Sequence, residues 1–296
     1  MVPLVLSAFF SQLSLAQVDL STWEKPKVFK FIPKFGNSRY VVATDLQRPS
    51  EEAPIASHIS QVTVQIIYPF TQNLVTGITP EKNDYTLSLQ SNPDSGLPSS
   101  LSFQKITLSI PVIYAVNPKT LYISSNYVSK HRTPKHKGGD WTSHQFSQLL
   151  IQEFHSDFGL GIGMHASHFP DQEVSVLPII PFAWTPTPEL RIEAWLPAQA
   201  QLKFFLFPEI YFQTQYLIVS EWFHLPKEVS LKDRWVKFTN ARWGISAGVK
   251  SFEKLNVEIG WGLNLVQKLS HEDSSLKESR NTKPSSFVRG GILINY

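Results

Sequence analysis

The chain has 296 residues and a formal net charge of +3, too small to argue for a nucleic-acid partner. Charged residues make up 17% and aromatic residues 12%, whereas an average soluble domain is nearer about 25% charged. There is no cysteine, which excludes a cysteine-ligated zinc site, a thiol nucleophile and a disulfide framework.

The chain opens "MVPLVLSAFFSQLSLAQ". Leu4 to Phe10 are mostly apolar, and Ser14-Leu15-Ala16 supplies small residues for cleavage before Gln17, so residues 1–16 read as a secretory signal peptide. No Lys or Arg precedes the apolar stretch. The stretch is too short for a membrane helix, which needs roughly 20 apolar residues. No later stretch is longer, so a membrane crossing has to use strands. Residues 17–58 are mixed and Pro-rich, with "RPSEEAP" at 48–54, and are expected to form a periplasmic lead-in; "RYVVATDL" at 39–46 is an optional strand within it. Residues 59–296 are expected to form the main domain.

From about residue 60 the apolar period is two, the mark of a strand with two different environments. In chain order the expected strands are 62–70, "KITLSIPVIY" at 105–114, 120–129, 145–155, "FGLGIGMHAS" at 158–167, 174–184, 190–197, 200–207, 210–219, "RWGISAGVK" at 242–250, "LNVEIGWGLNL" at 255–265 and 287–296. In 255–265 one face carries Leu255, Val257, Ile259, Trp261, Leu263 and Leu265 and the other Asn256, Glu258, Gly260, Gly262 and Asn264. These strands number twelve, or fourteen if 39–46 and "DYTLSLQ" at 84–90 join them.

The connections fall into two kinds. Tight ones are "NPK" at 117–119, "HSD" at 155–157, "TPTPE" at 185–189, "FPE" at 207–209 and "SFEK" at 251–254. Long polar ones are 71–102, 130–144, 220–240 and 266–286, with "HFPDQE" and "PAQAQ" as shorter members. The two kinds alternate along the chain, which puts all tight turns at one rim of an up-and-down sheet. Short periplasmic turns and longer external loops are the asymmetry of outer-membrane barrels. The expected fold is therefore all-β: a transmembrane up-and-down antiparallel β-barrel in a bacterial outer membrane. Closure is required because unpaired strand edges are intolerable in lipid. The ending "SFVRGGILINY" then reads as the closing strand, with Ile292, Ile294 and Tyr296 outward as a recognition signal for the barrel-assembly machinery.

Three stretches carry a family resemblance: "FQKITLSIPVIYAVNPKTLYISSNY" (103–127), "VLPIIPFAWTPTPELRIEAWLP" (176–197) and "LKFFLFPEIYFQTQYL" (202–217). Each is a strand, a proline-containing turn, then a strand opening on Leu or Ile. The segment from about 101 to 219 resembles an uncharacterised outer-membrane β-barrel family, a domain of unknown function. The resemblance implies fold and location and hands over no functional residue.

By parity the interior face should carry Lys105, Arg191, Glu193, Lys203, Gln213, Gln215, Arg242, Glu258, Asn264 and Arg289. A charge turned to lipid at mid-depth would cost about 2–4 kcal/mol, so these side chains are expected to line a lumen. His131, His136 and His144 lie in a basic loop, "KHRTPKHKGGDWTSH", but form no compact metal-ligand motif. That loop suits anionic lipopolysaccharide or lipid headgroups as partner. His155-Ser156-Asp157 are chain neighbours in a tight turn, unlike a catalytic triad, which is assembled in space. His165 and Ser167 share one strand, with His165 pointing inward, a poor arrangement for a barrel hydrolase. No cofactor, metal or enzymatic activity is expected. The expected function is a narrow pore or passive solute channel; the alternative is a non-conducting surface binding or structural barrel acting through its external loops.

Overall fold

A computed structural model describes residues 39–47, 55–89, 100–133, 140–170, 174–224, 235–251, 255–271, 280–281 and 285–295. The signal peptide, the rest of the lead-in, His136 and Tyr296 lie outside the described residues.

The strands are β1 (Arg39–Gln47), β2 (Ile55–Pro69), β3 (Leu74–Leu89), β4 (Ser100–Asn117) and β5 (Thr120–Arg132). They continue with β6 (Trp141–His155), β7 (Phe158–His168), β8 (Ser175–Thr187), β9 (Leu190–Leu196) and β10 (Gln199–Phe207). The last are β11 (Ile210–His224), β12 (Trp235–Ser251), β13 (Leu255–His271), the two-residue β14 (Arg280–Asn281) and β15 (Ser285–Asn295). Each long strand is antiparallel to the next in sequence, β12 also pairs β13, and β15 pairs both β13 and β1. Among the described residues every one of the fourteen long strands thus has two partners, and the ladder returns to its start with no open edge.

Fourteen is the larger of the two strand counts the sequence allows. Both optional strands are present: 39–46 lies in β1, and 84–89 of the stretch 84–90 forms the outer end of β3. The barrel therefore begins at Arg39, inside the 17–58 stretch read as lead-in, because β1 supplies the edge that β15 needs. The long connection expected at 71–102 is in fact a tight turn at 70–73, strand β3, and a connection at 90–99. β3 hides its period because polar groups sit on both faces: Glu81 and Asn83 turn inward, while Lys82 and Asp84 pair with each other outside at 2.9 Å. Pro80 adds a further loop-like signal.

The tight turns 70–73, 118–119, 156–157, 188–189 and 208–209 share one rim, where the paired ends Ser251 of β12 and Leu255 of β13 also lie. The strand ends that the longer connections 90–99, 133–140 and 225–234 join lie at the opposite rim, where the connection 197–198 is only two residues long. The outward face is apolar, with Ile162 70% exposed and Ile259 67% exposed. On a soluble protein such a continuous exposed band would be an aggregation surface; around a closed barrel it is the hydrocarbon-facing belt. Near the tight-turn rim Phe158 meets Phe154 at 5.9 Å and Phe182 at 5.6 Å, part of an aromatic girdle. A bulge where Ala241–Arg242 face Val266 and Asn264 turns both Leu265 and Val266 outward and keeps Gln267 inside.

Candidate functional site

The interior divides into a constriction and a cavity. The constriction joins opposite walls. β4 and β11 are half a turn apart in the ring of fourteen, yet Lys105 Nζ on β4 donates to Glu221 Oε1 and Oε2 on β11 at 2.7 and 2.9 Å. Phe103 stacks on Phe223 at 4.0 Å between ring centroids, and Tyr85 meets Phe223 edge-on at 5.5 Å. Tyr85 also donates to Glu221 at 3.5 Å. These rings belong to a cluster with Leu87, Leu101, Val236 and Phe238, the last fully buried. Fourteen strands about 4.8 Å apart enclose a round ring at least roughly 21 Å across, whereas an extended Lys, an extended Glu and the bond between them reach roughly 14 Å. The barrel is therefore flattened at this level. Thr133 Oγ1 donates to the His224 carbonyl at 3.4 Å, and Trp141 meets Trp235 edge-on at 5.0 Å, extending the wall-to-wall contact along the loop-bearing half.

The cavity, about 490 Å³, lies below the constriction. Its wall on β9–β15 carries Arg191, Glu193, Gln201, Lys203, Gln213, Gln215, Glu258 and Arg289, and its wall on β2–β5 carries Gln61, Thr63, Gln65, Thr79, Glu81, Ser109, Ser125 and Tyr127. The lining runs to Phe205, close to the tight turn at 208–209, and to Asn256 near the start of β13, so the cavity reaches that rim. Its charged side chains are three acidic (Glu81, Glu193, Glu258) and three basic (Arg191, Lys203, Arg289), which cancel. Arg191 and Gln201 both donate to Glu193. Tyr211 donates to Glu258 at 3.0 Å, Lys203 sits 4.3 Å over the Tyr211 ring, and Arg289 donates to Gln215 at 3.3 Å. Gly248 makes room for this cluster, since a Cβ there would run into the Tyr211 ring. On the facing wall Gln65 Oε1 and Thr79 Oγ1 have no protein partner.

Of the ten charged and amide residues expected in the interior, seven line the cavity: Arg191, Glu193, Lys203, Gln213, Gln215, Glu258 and Arg289. Lys105 is in the constriction instead, and the Arg242 guanidinium lies 5.8 Å over the Phe287 ring beside the cavity. Asn264 is buried and donates to Ser285 at 3.4 Å. Sequence reading missed Glu221, Phe223 and Phe238, which fall in 220–240, taken as an external loop, and Tyr85, which falls in the optional strand 84–90 within the connection 71–102. The signal that could have found them is the dense apolar and aromatic content of "WVKF" and "YLIVSEWF", which continues the flanking strands. His131, placed by sequence in the basic loop, is on β5 facing inward, 3.0 Å from Ser143 Oγ and stacked on Trp141. His165 also faces inward and meets Ser147 Oγ at 2.8 Å. Ile292 and Ile294 lie on the outward face of β15, with Ile292 exposed.

No family model and no curated protein matches the chain. Among solved structures it is similar to an outer membrane channel from Pseudomonas putida F1, at 13% identity and a TM-score of 0.53, with 95% of this chain and 100% of that chain covered. It also matches a TodX monoaromatic hydrocarbon channel mutant at 10% identity and a TM-score of 0.42, covering 92% of this chain and 93% of that one. A third match is the KdgM porin in complex with disordered oligogalacturonate, at 6% identity and a TM-score of 0.37, covering 87% and 99%. Ring closure, the apolar outer belt and the first of these likenesses make the chain a transmembrane β-barrel of the bacterial outer-membrane type.

Proposed function

We propose that the chain is a passive solute channel of the bacterial outer membrane, held shut at its outer end by contact between opposite walls. The observation that carries this reading is a polar cavity that reaches the tight-turn rim and stops at the Lys105–Glu221 ion pair. An interior meant only to stiffen a barrel would have little reason to leave about 490 Å³ lined by polar side chains. The likeness to an outer membrane channel supports the reading at the level of fold. Tight turns face the periplasm in this arrangement, so the cavity is a periplasmic vestibule and the constriction lies towards the cell surface. Its cancelling charges suit uncharged solutes or small ions of either sign. The lumen role of Arg191, Glu193, Lys203, Gln213, Gln215, Glu258 and Arg289 follows from this reading, with Lys105 as part of the shutter and Arg242 beside the vestibule.

Outer-leaflet lipopolysaccharide is the expected surround, and the assembly machinery is expected to read Ile292, Ile294 and Tyr296. Membership of the uncharacterised barrel family suggested by the Pro-turn motifs remains part of this proposal. The test is planar-bilayer recording of the refolded barrel. Brief, small conductance steps are expected from the native chain and longer ones from a Glu221 variant. No steps from either protein, with both shown folded, would refute the channel and favour a barrel that works through its surface loops.

A further inference from the structure

The outside of the barrel is not uniform. On β13 the outward row is Leu255, Val257, Ile259, Trp261 and Leu263, apolar throughout. On β5 and β6 the outward row is interrupted at mid-height. Asn126 stands opposite Ile110 on β4 and Phe146 on β6, and Ser124 stands opposite Val112 and Gln148. The outward row of β4 runs Ile106, Leu108, Ile110, Val112 and Tyr114, so Ile110 marks the middle of the apolar belt. Gln148 in turn stands opposite Met164 on β7. Asn126 and Gln148 are both exposed, and among the described residues neither has a hydrogen-bond partner. A carboxamide in hydrocarbon can exchange no hydrogen bond with lipid tails, so such a pair is strongly unfavourable unless another polar surface covers it.

The polar character continues upward. Lys130 and Arg132 project from the outer end of β5, and Asp140 lies between them at 3.4 and 3.7 Å. A polar seam therefore runs up the outside of β5 and β6 while β13, on another side, is wholly apolar.

We propose that this seam is the contact face with a second copy of the same chain in the membrane plane. A carboxamide both donates and accepts, so across a two-fold axis Asn126 and Gln148 of one copy satisfy the same residues of its partner. The charged end is self-complementary in the same way: Asp140 of each copy can meet Lys130 or Arg132 of the other. The proposal does not depend on conduction.

The chain has no native cysteine, which makes the test clean. Single-cysteine variants Ser124→Cys, Val128→Cys and Leu150→Cys, which leave both carboxamides in place on the same outward rows, are treated in native outer membranes with a short bis-maleimide, alongside Ile259→Cys on β13 and Val176→Cys on β8 as outward controls. The expected result is a band at twice the chain mass from the seam positions, about tenfold stronger than from the controls, the factor that one interprotein hydrogen bond in lipid supplies. The double variant N126L/Q148L should be folded, by its faster migration in unboiled gels, and should lower the dimer fraction about tenfold by sedimentation in detergent. Equal cross-linking at seam and control positions overturns the proposal. So does a cross-linked band of another mass, which would assign the seam to a different membrane protein, or a monomeric native chain with no cross-link, which would leave the seam to lipid headgroups.

Discussion

Removing Glu221 should unlock the constriction. Lys105 and Glu221 are joined at 2.7 and 2.9 Å, and their side chains are 11% and 10% exposed. In Glu221→Ala the Lys105 ammonium would remain in a pocket formed by Tyr85, Phe103 and Phe223 with no counter-charge. Breaking one side of a buried ion pair costs about 3–5 kcal/mol, most of it the stranded charge. That penalty falls on the shut form alone, because in a parted barrel the ammonium is hydrated by lumen water. At about 1.4 kcal/mol per factor of ten, the shut-to-open equilibrium moves by roughly a hundredfold or more. The assay is the frequency of opening events in planar bilayers at fixed voltage, with folding checked by unboiled gel migration. Lys105→Ala should open the barrel similarly by stranding the carboxylate. The double variant K105M/E221M strands nothing and packs against the same rings, so it should stay shut. If Glu221→Ala opens no more often than the native chain while its barrel is intact, the ion pair does not hold the walls together and the shutter is wrongly placed.

Three further outcomes follow from the same geometry. Ile259→Lys puts a charge at a position 67% exposed on the apolar belt and should lower barrel stability in lipid by about 2–4 kcal/mol, measured by urea unfolding in vesicles; no change would mean that this face is not in hydrocarbon. Gly248→Ala should displace Tyr211 from Glu258 and cost about 1–3 kcal/mol, whereas Gly290→Ala, which meets nothing within 4 Å, should be neutral; equal effects would contradict the packing. Glu258→Lys shifts the vestibule from balanced to two units positive, so the reversal potential in a salt gradient should move towards anion selectivity; an unchanged potential would remove Glu258 from the ion path.

Much of the architecture was legible because two environments alternate along each strand. Leu255 to Leu263 declare the lipid face of β13 without help from any other segment. The interior was legible on the same grounds: parity alone puts Arg191, Glu193, Lys203 and Arg289 on the face away from lipid. What was hidden has physical causes. β3 carries polar groups on both faces and a proline, so its period vanishes over Pro80 to Asp84. The outer ends of β11 and β12 extend beyond the hydrocarbon belt, where alternation weakens because the outward face no longer has to be apolar. Parity also says which side a residue faces but nothing about how far away the opposite wall is. Lys105 and Glu221 are 116 residues apart, and only the flattening of the ring brings them within bonding distance.

The pairing of β1 with β15 has a consequence for biogenesis. Arg39 stands beside Asn295, so the contact that seals the ring joins the earliest described strand to the latest. Strands β2 to β13 can zip sequentially as hairpins emerge, each at low loop-closure entropy. The seal cannot form until β15 has crossed the inner membrane. During that interval the sheet presents two bare edges with full rows of unsatisfied amides and carbonyls, one at each flank. Whatever escorts the chain must therefore shield both flanks together and let go of them together, when Asn295 arrives.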